Sequence, residues 1–245
     1  MTLALPRRAT AEFTGTALLV AAVVGSGIAA ARLSPTDVGL QLLENAVATA
    51  LALGALILTF GPVSGAHFNP VVSAVDWWLG RRAGTGLGSR DLAAYVVAQV
   101  AGAITGAVLA HLMFGLPAVA WSRTGRSGGH LWLAEVVATA GLVLLVFALA
   151  RSGRTSAAPA AVGAWIGAAY WFTSSTSFAN PAVTIGRAFT DTFAGIAPAS
   201  TPGFVAAQLA GGLIAVAALA HWYPHAADTA DDVVVPHPTR EIEVR

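Results

Sequence analysis

The chain has 245 residues, of which 56% are hydrophobic and only 10% are charged, and its mean hydropathy is +0.70. Soluble domains carry about 25% charged residues, so this chain could not cover a globule of its own size with polar surface. The composition therefore predicts a membrane protein. Cysteine is absent, which excludes disulfide bonds, thiolate metal sites and a cysteine nucleophile. The net charge of +1 includes no basic stripe suited to nucleic acid, and no nucleic-acid partner is expected.

Six stretches are apolar and long enough, at about 20 residues, to cross a bilayer as helices. They cover residues 12–32, 41–62, 92–115, 131–150, 157–178 and 203–223. The first resembles a secretory signal because Arg7 and Arg8 precede it, but its apolar run from Phe13 to Ala31 exceeds the roughly 7–15 residues of a signal core. We therefore predict six transmembrane helices, with the first one retained.

The arginines are unevenly distributed between the two sides of these spans. With a cytoplasmic N-terminus, nine lie inside, namely Arg7, Arg8, Arg81, Arg82, Arg90, Arg151, Arg154, Arg240 and Arg245. The four outside are Arg32, Arg123, Arg126 and Arg187. The positive-inside bias thus predicts cytoplasmic termini. We expect a cytoplasmic N-terminus over residues 1–11, an extracellular connecting loop over 116–130, and a disordered cytoplasmic tail over 224–245.

Two further segments, residues 69–79 and 180–193, are too short to span, and both begin with Asn-Pro. Asparagine is a good helix N-cap and proline is favoured in the first helical turn, so a half-helix is predicted to start at each asparagine. Non-helical chain leading into such a start is tolerated at membrane depth only where it is buried in protein or lines a watery cavity.

The sequence contains an internal repeat. Glu12-Phe-Thr-Gly-Thr16 corresponds to Glu135-Val-Val-Ala-Thr139, Asn69-Pro70-Val71 to Asn180-Pro181-Ala182, and Ala98-Gln99-Val-Ala-Gly102 to Ala207-Gln208-Leu-Ala-Gly211. The first repeat covers residues 12–115 and the second 131–223. Each holds three spans, an odd number, so the second repeat is inverted relative to the first. The two half-helices then enter from opposite faces and meet near the midplane.

These residues resemble the aquaporin superfamily, because Ser64-Gly-Ala-His-Phe-Asn-Pro-Val71 and Ser177-Phe-Ala-Asn-Pro-Ala182 look like its paired Asn-Pro-Ala boxes. The resemblance covers about residues 10 to 223. It implies an all-α membrane protein of six transmembrane helices and two re-entrant half-helices in two inverted repeats. It also implies a homotetramer in the lipid bilayer of a bacterial inner membrane, passing water or small neutral solutes passively, without enzyme activity, cofactor or metal.

The resemblance assigns roles to individual residues. The amides of Asn69 and Asn180 are expected to donate hydrogen bonds to a passing oxygen, and Val71, where the family usually has Ala, should be tolerated. Glu12 and Glu135 would accept hydrogen bonds from the loops that lead into the half-helices; the alternative is a proton-carrying pair in a pump or transporter. His67 would present its imidazole or its backbone carbonyl to the pore; the alternative is a packed loop histidine.

The sequence departs from the family at the outer constriction. Water-selective members have Arg directly after the second box, where this chain has Val183. By resemblance the other constriction positions are Thr49, Ala168 and Ser177, all small, which implies a wide filter. The Ala168 position depends on a gapless count; a shift of two or three residues would place Tyr170 or Trp171 in the pore instead.

Arg187 lies one helical turn beyond Val183. It either lines the outer mouth, or it pairs with Asp191 or contacts lipid headgroups. The run from Asn180 to Gly195 is similar to channels found with bacterial arsenic-resistance genes. That similarity implies arsenous acid as solute, and glycerol fits the same geometry. The alternatives are an ordinary water-selective channel, an ion-coupled transporter, and a membrane-embedded enzyme, which would need a nucleophile with a base, or a metal, that the spans do not offer.

Overall fold

The computed structural model describes residues 3–223, and their regular structure is entirely helical. The helices are α1 Leu5–Leu33, α2 Val38–Ser64, α3 Pro70–Ala83, α4 Ser89–Met113, α5 Gly129–Arg151, α6 Ala158–Phe172, α7 Pro181–Arg187 and α8 Thr201–Trp222. Short 3-10 turns, Thr155–Ala157 and Pro198–Ser200, lead into α6 and α8. The tail predicted over residues 224–245 lies outside the described residues.

Five of these helices, α1, α2, α4, α5 and α8, are long and apolar enough to cross a membrane. The helix in the fifth predicted span, residues 157–178, is shorter than expected, because α6 has 15 residues and ends at Phe172. The chain then continues as a loop to Asn180, with backbone angles at Thr176, Ser177 and Ala179 that no α-helix contains. This loop gives the chain its approach to the second half-helix.

The two halves of the chain are built alike. Helix α1 packs on α4 in the first half as α5 packs on α8 in the second, and α2 packs on α6 across the two halves. Each half also contains one short helix, α3 or α7, and the two short helices contact each other. This arrangement confirms the predicted all-α fold with two half-helices.

Both short helices begin where the Asn-Pro pattern predicts. Oδ1 of Asn69 accepts a hydrogen bond from the Val71 N–H at 3.0 Å, and Oδ1 of Asn180 accepts one from the Ala182 N–H at 2.9 Å. The predicted extents differ: α3 continues to Ala83, whereas α7 ends at Arg187. The chain folds back beyond Arg187, whose Nε donates to the Ala194 carbonyl, so the helix predicted to residue 193 is wrong in its last six residues.

Glycines allow the helices of each half to pack closely. A Cβ on Gly102 of α4 would overlap the Phe13 carbonyl oxygen of α1, and a Cβ on Gly211 of α8 would lie 2.6 Å from the Val136 carbonyl oxygen of α5. Small residues at such contacts let membrane helices approach each other. Because α4 lies this close to α1, the Gln99 side chain reaches Glu12 at 2.8 Å.

Candidate pore

A cavity lies between the helices and the two loops that lead into α3 and α7. Its wall includes His67 from the first of these loops, both half-helix asparagines, and Arg187 at the end of α7. Asn69 and Asn180 divide the cavity into two parts. We call the part that contains His67 the α3 side and the part that contains Arg187 the α7 side. The polar lining residues are Thr49, His67, Asn69, Tyr170, Ser177, Asn180 and Arg187, and the rest of the wall is aliphatic or aromatic. One cavity thus extends past both helix starts.

The side-chain amides of the two asparagines form hydrogen bonds that join the two loops at this dividing point. Nδ2 of Asn69 donates to the Ala179 carbonyl at 2.7 Å, and Nδ2 of Asn180 donates to the Phe68 carbonyl at 2.7 Å. An amide carries two N–H donors, and each bond uses one of them. Since both asparagines also line the cavity, the second N–H of each can serve a solute.

Glu12 accepts four hydrogen bonds, two of them from backbone N–H groups of the first loop. Its Oε1 accepts from Ser64 Oγ at 2.6 Å and from the His67 N–H at 3.0 Å. Its Oε2 accepts from the Phe68 N–H at 2.7 Å and from Gln99 Nε2 at 2.8 Å. Four donors fill the lone-pair sites of an ionised carboxylate. The side chain is fully buried, so this carboxylate is held in place rather than exposed to solvent.

Glu135 repeats this arrangement in the second half. Its Oε1 accepts from Ser175 Oγ at 2.6 Å and from the Phe178 N–H at 2.9 Å. Its Oε2 accepts from the Ala179 N–H at 2.8 Å and from Gln208 Nε2 at 2.6 Å. The two carboxylates serve separate loops, and each has a full set of local donors. This geometry matches loop support, and within residues 3–223 no hydrogen bond joins the two carboxylates to each other.

The loops need this support because their backbone is strained at equivalent positions. Ala66 and Phe68 have φ of 48° and 49°, and Ser177 and Ala179 each have φ of 50°. Non-glycine residues pay about 1–2 kcal/mol each in this left-handed region. The hydrogen bonds to Glu12 and Glu135 fix N–H groups at or beside these four residues. They therefore stabilise the strained loop conformation that lines the cavity.

The remaining residues of the two Asn-Pro boxes lie in the first turns of the short helices and outside the cavity wall. Pro70, Pro181 and Ala182 occupy the first turns of α3 and α7 and do not line the cavity. Val71 is buried and packs against α8, where a Cβ on Gly212 would meet it at 2.6 Å. Glycine at position 212 therefore provides the room for the larger side chain.

Three of the four residues predicted for the constriction line the cavity, namely Thr49, Ser177 and Val183. The Ala168 prediction is wrong, because Ala168 is exposed on the outer face of α6. Tyr170 lines the cavity instead, and its hydroxyl donates to Thr49 Oγ1 at 3.3 Å. Tyr170 stands two residues after Ala168, which is the shift that the gapless count left open. The aromatic ring makes the cavity narrower here than a ring of small residues would.

His67 lies on the α3 side, lines the cavity and is mostly buried. Its Nδ1 lies 3.1 Å from Ser73 Oγ, and its ring meets Tyr95 edge to face at 5.6 Å. His67 therefore fits both interpretations in part. One edge of its imidazole is packed, as in a loop histidine, and the residue also forms part of the cavity wall.

Arg187 lies on the α7 side and lines the cavity. Its predicted alternative partner, Asp191, is bound by Arg123, whose backbone N–H and Nε donate to it at 2.9 and 2.7 Å. These two bonds hold the pKa of the Asp191 carboxyl below its ordinary value. The structure thus places Arg187 at the cavity and gives Asp191 a different partner.

Sequence reasoning missed the serines that bind the two carboxylates. Ser64 and Ser175 each stand five residues before the asparagine of their box, so the internal repeat carried the signal. Predicting that Tyr170 lines the cavity requires knowing where α6 ends, and no local sequence pattern marks that point. Within residues 3–223, no group of three or more His, Asp or Glu side chains is arranged to hold a metal ion.

Comparison with known proteins agrees with this geometry. The family model described as "Major intrinsic protein" matches residues 1–179. The chain is 54% identical over 218 residues to the aquaglyceroporin AqpS of Rhizobium meliloti (strain 1021), covering 89% of this chain and 90% of the relative. It is 31% identical over 223 residues to the probable aquaporin AqpM of Archaeoglobus fulgidus, covering 80% of this chain and 88% of the relative.

Among solved structures, the aquaglyceroporin from Plasmodium falciparum shares the fold, with a TM-score of 0.66 and 20% identity, covering 90% of this chain and 97% of the other. The cavity, the paired half-helices and the family match lead to the same conclusion. The chain belongs to the major intrinsic protein family of membrane channels, whose members are passive and not enzymes.

Proposed function

We propose that the protein conducts small uncharged hydroxylated solutes, glycerol and arsenous acid among them, together with water. The observation that carries the proposal is the Ser177 hydroxyl. This group is buried in the cavity wall and has no hydrogen-bond partner in the described part of the chain. A buried hydroxyl without a partner costs free energy, and a solute that bonds to it removes that cost.

The surroundings of Ser177 suit a solute with hydroxyl groups on an apolar frame. Val183 and Phe178 provide apolar wall, while Thr49 and Tyr170 add hydroxyl groups. A polyol can place its oxygens toward the hydroxyls and its carbon atoms against the apolar wall. Arsenous acid, with three hydroxyl groups on a soft central atom, meets the same requirements. The relative that is 54% identical to this chain is an aquaglyceroporin, and this supports glycerol as a solute.

A water-selective channel is the second candidate, and Tyr170 is the observation that favours it. Its ring occupies the position where Ala168 was expected, and its bond to Thr49 joins α6 to α2 at the cavity wall. A narrower passage discriminates against solutes larger than water. Permeability measurements with both kinds of solute separate the two candidates.

We also propose a homotetramer in a bacterial plasma membrane with both termini in the cytoplasm. The arginine distribution supports this orientation. Large apolar side chains on the outer helix faces, such as Leu51, Leu58 and Val97, are 71%, 66% and 69% exposed, and suit contact with lipid or a neighbouring protomer.

Stopped-flow light scattering on proteoliposomes tests the proposed solutes. Vesicles with the protein should pass glycerol and arsenous acid faster than protein-free vesicles, with rates that rise linearly with the gradient. Ser177→Ala should lower glycerol permeability relative to water about threefold, the equivalent of one neutral hydrogen bond. Ser174→Ala is the matched control, because Ser174 is exposed on the same loop and its hydroxyl bonds to the His130 carbonyl. Water permeation alone would favour the water-selective channel.

A further inference from the structure

Two arginines converge on one aromatic ring on the α7 side of the cavity. The guanidinium carbon of Arg187 lies 3.4 Å from the centre of the Phe178 ring, and that of Arg126 lies 5.2 Å from it. Arg187 is buried at 2% exposure, whereas Arg126 is partly exposed. An aromatic face attracts a cation through its quadrupole, so Phe178 holds both guanidinium groups near the cavity.

Consecutive backbone carbonyls orient the two arginines. Nε of Arg187 donates to the Ala194 carbonyl, and Nε of Arg126 donates to the Gly195 carbonyl at 2.9 Å. Neither arginine forms an ion pair within residues 3–223. Asp191 is bound by Arg123. Glu135 interacts electrostatically with both arginines, but its two oxygens already accept four hydrogen bonds from other donors. The carbonyls orient the guanidinium groups without cancelling their charge. The buried Glu135 carboxylate offsets part of that charge, so two arginines and one carboxylate leave a net positive charge on this side of the cavity.

The terminal nitrogens of Arg187 can donate hydrogen bonds to solutes in the cavity. In the described part of the chain, Nε is the Arg187 nitrogen that makes a hydrogen bond to protein, and the side chain forms part of the cavity wall. A guanidinium carries five N–H donors, and its two terminal groups hold four of them. Val183 precedes Arg187 by one turn of α7 and lines the same cavity with an apolar side chain.

We propose that Arg187 is the cation of the outer constriction, supplying from the end of α7 the charge and the hydrogen-bond donors that Val183 cannot. This proposal rests on the proposed function, because it concerns the selectivity of the same pore. Arg187 repels cations and donates hydrogen bonds to the oxygens of passing solutes. Arg126 is a positioning residue, acting through Phe178. The pore thereby combines a wall that is apolar at Val183 with a positive charge one turn away.

Replacing Arg187 tests the proposal in proteoliposomes at matched channel density. Arg187→Gln removes the charge and keeps donors on a similar stem, and should raise sodium or proton leak at least about tenfold. Glycerol flux should persist. Arg123→Gln is the matched control, because Arg123 is an arginine on the same side that is 89% exposed and bound to Asp191. Its leak should equal that of the wild type.

A lysine variant keeps the test decisive even where the glutamine variant fails to fold. Arg187→Lys should exclude cations near pH 7 and lose that exclusion at a lower pH than the wild type does, because an ammonium group loses its proton more readily than a guanidinium. A purely structural role for Arg187 would produce no such pH dependence. Unchanged leak in the glutamine variant, or pH-independent exclusion in the lysine variant, would overturn the proposal. Absence of glycerol and arsenous acid flux in the wild type would instead overturn the proposed function.

Discussion

Changing Glu12 to Gln tests whether the buried carboxylate supports the first pore loop. The carboxylate accepts two hydrogen bonds on each oxygen, from Ser64 and His67 on one and from Phe68 and Gln99 on the other. Glutamine keeps the shape but offers one oxygen and one NH₂ group. Two of the four donors must then face another donor, whichever way the amide is oriented.

The magnitude follows from those contacts. A hydrogen bond to a charged acceptor contributes about 1.5–3 kcal/mol, so losing two costs about 3–6 kcal/mol. Removing a buried charge offsets part of this cost, and we expect a net loss of about 2–4 kcal/mol. A domain of this size loses roughly 2–4 °C of Tm for each kcal/mol, which predicts a fall of roughly 5–15 °C.

Thermal unfolding in detergent, followed by tryptophan fluorescence, measures this loss. Glu44→Gln is the matched control, because Ser34 Oγ is the described donor to that carboxylate and its other oxygen has none. It should shift the Tm by no more than a few degrees. Equal Tm values for Glu12→Gln and the wild type would refute the support role. A glycerol flux that depended on a pH gradient in the wild type, and lost this dependence in Glu12→Gln, would favour the proton-carrying alternative.

Three further predictions concern the pore and its outer loop. Tyr170→Ala should raise glycerol permeability relative to water in stopped-flow measurements, and an unchanged ratio would mean that this ring does not limit the passage. Asn180→Leu should conduct poorly or leak ions, because it leaves the Phe68 carbonyl without its donor and removes an amide from the cavity wall; wild-type flux and ion exclusion in this variant would contradict the pore assignment. Since the folded pKa of Asp191 is lowered, its bond to Arg123 stabilises the protein above the ordinary carboxyl pKa of 3.8 and loses that effect as the pH falls below it. The Tm difference between wild type and Asp191→Asn should therefore vanish in acid, and a constant difference would contradict this reasoning.

The sequence predicts the parts of the pore that local rules determine. The helix starts at Asn69 and Asn180 follow from capping preferences, and the internal repeat alone identifies Glu12 and Glu135 as equivalent residues. The position of Tyr170 does not follow from such rules. It depends on where α6 ends, and that point is set by the need of the following loop to reach Glu135, a contact 40 or more residues away in sequence. The short extent of α7 is likewise determined by a contact outside the helix, between Arg187 and the Ala194 carbonyl.

The most direct test of the account is the ratio of glycerol or arsenous acid permeability to water permeability in Val183→Arg. Val183 is 5% exposed and lines the cavity with Thr49, Tyr170 and Ser177, so an arginine here places a long cationic side chain in the passage. Solutes larger than water should lose permeability first, while water can still pass in single file and accept hydrogen bonds from the guanidinium. At matched channel density in proteoliposomes, the ratio should fall in the variant. A ratio equal to or above that of the wild type would mean that the constriction lies elsewhere and that these residues do not set the selectivity.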